Sequence, residues 1–501
     1  MSHSPAPEER RSERRLARRL ERRRPRHRAA LLAAAAALVL GAAAPPAPVA
    51  QGIGDRIFPE LGNPGYDVAA YDIAFTYRAN DQPLNAVTRI LARATDRLER
   101  FNLDFTHGTI SSIEVDGAPA QFTPTGEDVV VTPARAVTAG AAFGVTVHHT
   151  SDPRGGEGNG GWVPTTDGLV MANQADAAHR VFPGNDHPSD KALFTFRVTA
   201  PKELTVVANG LPAGRSTEGA NTTWTYRTLH PMATELAQVA IGRSAVPERV
   251  GPHGLKLRDV VPGADQKALE TWTAKTPEQV AWMERKVGYF PFEAYGVLIA
   301  DASTGFELET QTLSLFERDL FTKGGFPQWY LESVMVHELA HQWFGDSVSP
   351  RYWSDLWLNE GHATWYESLY AEERGGRKLE DRMRVAYQLS DQMRADGGPP
   401  AAIKAPAPGR KTGIFRPVVY DGGALVLYAL RQRIGATAFD RLERTWVQRH
   451  HDGVATTADF VALATEVSGQ DQSAFLQPWL YGQTTPPMPG HPDWKAAPKP
   501  A

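Results

Sequence analysis

Two periodicities divide this chain. From residue 66 to about residue 246, apolar and polar positions alternate in short runs broken by turn residues, as in Ala69-Ala70-Tyr71-Asp72-Ile73-Ala74-Phe75 and Phe194-Thr195-Phe196-Arg197-Val198-Thr199. A period of two is that of a half-buried strand, so the stretch predicts an all-β domain, bounded here at residues 54–248. Inside it, residues 152–168 are rich in Gly and polar side chains and read as a mobile loop. After Gly251 the apolar spacing becomes helical. Helices are predicted over residues 264–287, 331–344, 362–373, 379–393, 424–435, 439–449 and 457–469. A buried strand is expected at 297–300, an edge strand at 305–316, and a Gly- and Pro-loaded loop at 396–417. Residues 251–488 thus form a mainly helical domain with a small sheet, and the fold class is multidomain α+β. The Pro-rich chain from residue 484 is expected to order poorly, with 489–501 as a tail.

The N-terminus carries a different signal. Residues 1–28 hold eleven Arg and four Glu, and an unbroken apolar run follows at 29–44, then Pro and small residues up to Ala50. A basic segment, a short apolar segment and small residues beyond it read as a secretory signal over residues 1–50, cleaved near Ala50. The apolar run is shorter than the ~20 residues of a membrane-spanning helix, so stable membrane insertion is not expected. The expected location is extracytoplasmic, secreted or associated with the cell envelope. Without residues 1–50 the chain has 42 basic and 53 acidic residues, a net of −11 against −4 for the whole. That acidity disfavours nucleic acid as a partner. The chain has no Cys, which excludes disulfides, thiolate metal sites and thiol catalysis.

The chemistry concentrates in Val336-His337-Glu338-Leu339-Ala340-His341, followed by Leu358-Asn359-Glu360-Gly361. His337 and His341 are four apart, which on a helix sets them about 40° apart around the axis and about 6 Å along it, so both imidazoles reach one ion. Leu331, Val334, Met335, Leu339 and Phe344 supply a helix-like apolar face. Eighteen residues separate His341 from Glu360, enough to end one helix, turn and begin another that delivers a third ligand. Two His and one Glu favour zinc, one ion per chain, and leave a position open as catalytic sites do. Glu338, between the histidines, can act as general base.

These residues, with Gln342-Trp343-Phe344-Gly345-Asp346 and Trp357, resemble the M1 family of zinc metallopeptidases, the aminopeptidase N-like enzymes. Leu308-Glu309-Thr310-Gln311-Thr312 resembles the family's Gly-Ala-Met-Glu-Asn strand, and Val419-Tyr420-Asp421-Gly422-Gly423 its segment around a catalytic tyrosine. Gln174 to Lys191, with Phe182-Pro183 and Asp186-His187-Pro188, resembles the N-terminal domain's part of the substrate cleft. The resemblance implies a saddle-like N-terminal sheet, a thermolysin-like catalytic domain and a short form without the large C-terminal helical domain. It implies an aminopeptidase acting on peptides with a free N-terminus. Zinc would be held by His337, His341 and Glu360. Glu338 would act as base, Tyr420 would stabilise the oxyanion, and Glu309, with Gln174, would receive the α-ammonium. The backbone from Gly305 through Phe306 to Thr310 would run beside the substrate by strand addition. On their own, Glu309 and Tyr420 would pass for a solvated edge charge and a loop tyrosine.

The chain departs from the family pattern at four places. Phe306 and Glu307 stand where Gly and Ala are usual, Gln174 where many members have an acid, and His362 where Phe or Tyr is common. His362 lies two residues from Glu360, on roughly the opposite side of the helix, and is not counted as a ligand. Two alternatives stay open. One is a non-peptide, epoxide-hydrolysing member, since members of that kind carry Gln at the position of Gln174. The other is a catalytically silent binding module.

Overall fold

The alternation of the N-terminal half becomes a sheet of eight strands. In spatial order these are Leu211–Glu218, Asn221–Arg227, Leu193–Pro201, Tyr66–Thr76, Leu84–Ala94, Ala142–Ser151, Ile110–Val115 and Ala118–Pro119. Tyr66–Thr76 pairs in parallel with Leu193–Pro201, Ile73 opposite Phe196, and antiparallel with Leu84–Ala94. Every second side chain of Leu84–Ala94 is buried, as is every second one of Tyr66–Thr76 on either side of a register shift between Val68 and Ala70, which is why the sequence shows a period of two. A second sheet, of four strands, packs in the same core and ends at Gly161–Pro164. The computed structural model describes residues 52–154, 160–407 and 410–497, so the segment read as a signal, residues 1–50, lies outside the described residues. Among the described residues no helix is long and apolar enough to cross a membrane.

From Gln266 onward the chain is mainly helical, and a second apolar core gathers residues between Leu257 and Trp494. The helices Gln328–His341 and Trp357–Glu373 pack against each other at its centre, and Asp421–Ile434 crosses the second of them. We call the first two the histidine helix and the glutamate helix. The expected strand at 297–300 is present as Val297–Ala300, paired in parallel with Ser314–Glu317.

Four expectations are corrected. Residues 305–316 are not one edge strand: only Ser314–Glu317 is, with a bridge from Leu308 to Leu315. Between them the chain curls, with Thr312 at φ +68°, because a side chain takes the backbone hydrogen bonds. Gln342 Nε2 donates to the Glu309 carbonyl at 2.9 Å and its Oε1 accepts from the Thr312 amide at 2.8 Å. Second, the stretch 152–168 contains the strand Gly161–Pro164, where Trp162 is buried and donates from Nε1 to Ser151 Oγ at 2.8 Å. Third, a helix, Ser473–Tyr481, lies beyond the last predicted one, and Asp421–Ile434 begins three residues ahead of its expected start at 424. Fourth, the chain past 484 docks on the helices: Trp494 is buried and stacks on Tyr428 with ring centroids 5.8 Å apart, and the Ala497 amide donates to the Gln388 carbonyl.

Candidate active site

The histidine helix presents His337 and His341 one turn apart, ring centroids 4.9 Å from each other. The glutamate helix brings Glu360 between them, its Oε2 lying 3.4 Å from each Nε2. The three ligand atoms lie within 4.8 Å of one another, and all three residues are buried. Glu360 Oε2 is buried without a hydrogen-bond partner, and a carboxylate oxygen in that position calls for a cation. Two imidazole nitrogens and one carboxylate oxygen fit a zinc ion with an open position.

The other ring nitrogens are engaged, which turns both Nε2 atoms toward the site. His337 Nδ1 lies 3.2 Å from Glu367 Oε2, and His341 Nδ1 lies 3.1 Å from the Phe344 carbonyl. That carbonyl can approach because the next residue is Gly345, at φ +134°, where a Cβ would stand 3.3 Å from His341 Nδ1. Burial alone would lower the His337 pKa, but the nearby carboxylates of Glu360 and Glu367 lift it to about 9. Glu360 moves the opposite way, to about 2, because the imidazolium charges overcome its burial. A dication can replace that separation of charge without protons.

Glu338 faces the same space, buried, with its pKa lifted to about 8 by burial and by the carboxylates of Glu309 and Glu360. Tyr420 caps the helix Asp421–Ile434, and its ring lies over that of His337, centroids 6.0 Å apart. Burial, then the charges of Glu360, Glu309 and Glu338, push its pKa well above the usual tyrosine value, so the hydroxyl keeps its proton. Glu309 is buried, and its Oε1 accepts from Gln174 Nε2 at 2.6 Å and lies 3.8 Å from His341 Nδ1. One oxygen each from Glu309 and Glu338, with a nitrogen of His341, also fall within 4.8 Å of one another.

Two clefts meet here. One, of about 690 Å³, is lined by Glu307, Tyr330, His337, Glu338 and Tyr420. The other, of about 670 Å³, is lined by Trp162, Gln174 and Gly305, and Phe306 borders both. The Gly305 amide donates to Glu317 Oε1 at 2.7 Å and the Phe306 carbonyl accepts from Thr304 Oγ1 at 2.6 Å. The Gly305 amide is therefore committed within the loop, while the Phe306 carbonyl keeps a second lone pair with which it can accept from a substrate amide. Glu307 Oε2 accepts from the Glu317 amide at 2.8 Å. His362 is buried away from the ligand trio, its ring stacked on Phe344 at 4.4 Å and its Nε2 3.4 Å from Glu443.

Several residues of the site escaped the sequence reading. Glu367, Arg382 and Gln342 hold the ligands and the Glu309 segment. Two of them carry a signal: Gln342 lies within the motif that follows His341, and Glu367 follows Glu360 by seven residues, two turns of one helix, and so shares its face.

The chain is similar to known proteins in both sequence and fold. A model of the peptidase family M1 domain matches residues 300–479, and one of the peptidase M1 N-terminal domain matches residues 165–236. Aminopeptidase N of Streptomyces lividans is 26% identical over 337 residues, 63% of this chain and 38% of that protein. Human glutamyl aminopeptidase is 27% identical over 318 residues, 60% of this chain and 33% of that protein. The chain thus spans little more than a third of the length of these curated relatives. The crystal structure of an M1 zinc metallopeptidase from Deinococcus radiodurans superposes with a TM-score of 0.75 at 28% identity, covering 88% of this chain and 99% of that one. A mutant of that protein bound to a Tyr-Ser-Ala substrate gives a TM-score of 0.76 at 28% identity, covering 88% of this chain and 100% of that one.

Proposed function

We propose that this chain, which belongs to peptidase family M1, is an exported zinc-dependent aminopeptidase that removes single residues from the N-terminus of peptides. The observation that carries the reading is the buried Glu309 carboxylate, 3.8 Å from the ligand His341 and outside the His337–His341–Glu360 trio. An acid fixed at that distance receives the α-ammonium, whose pKa is about 7.7–8.0, and so measures one residue from amine to scissile bond. Gln174 orients that carboxylate by donating to its Oε1.

His337, His341 and Glu360 would hold the zinc ion. When bound, zinc supplies Lewis acidity to the scissile carbonyl and lowers the pKa of water to about 7. Glu338 takes the proton from the attacking water and delivers it to the leaving amine. Tyr420, protonated, donates from its hydroxyl to the oxyanion that forms at the carbonyl. Phe306, bordering both clefts, separates the side chain of the departing residue from the rest of the peptide. The basic and apolar composition of residues 1–50 supports export with cleavage near Ala50.

The test is release of 4-nitroaniline from a panel of aminoacyl-4-nitroanilides by the purified protein, with and without chelator. Glu338→Ala and Tyr420→Phe should each lower kcat by about 10²–10³-fold with zinc retained, and Glu309→Ala should raise KM as well. Bound zinc with no release from any free-amine substrate would overturn the proposal. Equal cleavage of N-acetylated peptides would replace it by an endopeptidase. Mass spectrometry of the secreted product, reading an N-terminus near Gln51, checks export.

A further inference from the structure

We propose that His230, His451 and Asp452 form a second divalent-cation site that clamps the β half of the chain to the helical half and takes a borderline transition ion such as zinc. His230 follows the strand Asn221–Arg227, and His451 and Asp452 follow the helix Ala436–His450. His230 and Asp452 are 222 residues apart in sequence. Yet His230 Nδ1 and His451 Nδ1 lie 2.8 Å and 3.2 Å from the same oxygen, Asp452 Oδ2. One ligand atom from each of the three falls within 4.8 Å of the others, the spacing that His337, His341 and Glu360 also satisfy.

Two independent observations mark the cluster as more than an ion pair. Asp452 adopts φ +60°, a left-handed conformation uncommon outside glycine, and its carboxylate stands between two imidazoles. Its second oxygen, Oδ1, is buried without a hydrogen-bond partner, as is Oε2 of Glu293. Glu293 lies close enough to act on the charge of both His230 and Asp452. The cation nearby, Lys191, acts on the charge of Asp452 and His230 from a distance, but its Nζ donates to the carbonyls of Asp346, Ser347 and Gly453 and to none of the three side chains. The side chains of His230, His451 and Asp452 keep 29%, 39% and 27% of their exposure, so an ion can enter and retain water ligands. Two imidazoles and one carboxylate select zinc, nickel or copper over magnesium or calcium.

The site is distinct from the catalytic trio, and its test separates the two. Purified protein is dialysed against micromolar free zinc and its bound zinc is counted by mass spectrometry. Wild type should hold two equivalents, and the double variant His230→Ala/His451→Ala one. Asp452→Asn should also stop at one, and Glu360→Ala should keep only the second. The equivalent retained by the double variant reports that it is folded. A single equivalent in wild type, or a second that survives in both His230→Ala/His451→Ala and Asp452→Asn, would overturn the proposal.

Discussion

His337 engages a carboxylate with each of its ring nitrogens, and the one it does not share with the metal site is the start of a chain of contacts. Glu367 Oε2 lies 3.2 Å from His337 Nδ1 and Oε1 accepts from Arg382 Nη1 at 2.8 Å, while Arg382 Nε donates to Asp421 Oδ1 at 3.2 Å. Asp421 adjoins Tyr420, so one guanidinium ties the orientation of a ligand to that of the proposed oxyanion donor. Burial alone would raise the Glu367 pKa, but Arg382 and His337 bring it down to about 2, so it stays ionised through the neutral range. Glu367→Gln should therefore weaken zinc binding by about 10–100-fold, the usual effect of losing such a partner, measured by competition with a chromogenic chelator. Unchanged affinity would mean that packing alone sets the ring. The histidine pair is legible in the sequence because spacing on one helix fixes its geometry, and Glu360 because a second helix-like run begins at a suitable distance from it. Arg382 is not, since it comes from a different helix and only packing brings it near.

At the scale of elements, the site depends on how closely two helices approach. Gly361 in the glutamate helix faces Gly423 in the helix Asp421–Ile434, and a Cβ on Gly423 would stand 2.8 Å from Gly361 Cα. That contact sets the distance between Glu360 and Tyr420, each one to three residues away. Alanine at 423 gains up to about 1 kcal/mol of helix propensity but must force the helices apart, at about 1–3 kcal/mol. The net expectation for Gly423→Ala is a small loss in urea-melt stability and a loss of activity near 10²-fold, the scale of a displacement of about 1 Å at a reacting group. A variant with full activity would show that the helices can separate without moving Tyr420. Elements with a strong period were legible, the long strands and the two ligand helices above all. The segment around Glu309 was not: it has the composition of a strand, but Gln342 supplies hydrogen bonds that a neighbouring strand would have given. Ser473–Tyr481 escaped for a simpler reason, being short and holding Pro478 inside it.

At the scale of the molecule, the two halves share their interfaces with the site. Arg258 Nη2 donates to the carbonyls of Ala208 and Gly210, and Asn209 Nδ2 donates to the Gln311 carbonyl at 2.6 Å, two residues from Glu309. Asp55 joins three segments at once. Its Oδ1 accepts from the amides of Ile57 and Phe58, and its Oδ2 accepts from the Trp353 amide at 2.7 Å and lies 3.2 Å from His187 Nε2. Burial opposes ionisation of Asp55, but the hydrogen bonds from His187, Trp353 and Ile57 prevail and hold its pKa below the usual value. A carboxyl depressed on folding contributes stability that is complete above its unfolded pKa, about 3.9 for Asp, and is lost as the pH falls through the folded value. Asp55→Ala leaves buried amides unpaired and should cost about 3 kcal/mol near pH 7. The gap between wild type and variant in urea melts should hold at neutral pH, begin to close below about pH 4 and shrink further as the folded carboxyl takes up its proton. A gap constant with pH would show that Asp55 acts through shape and not through charge.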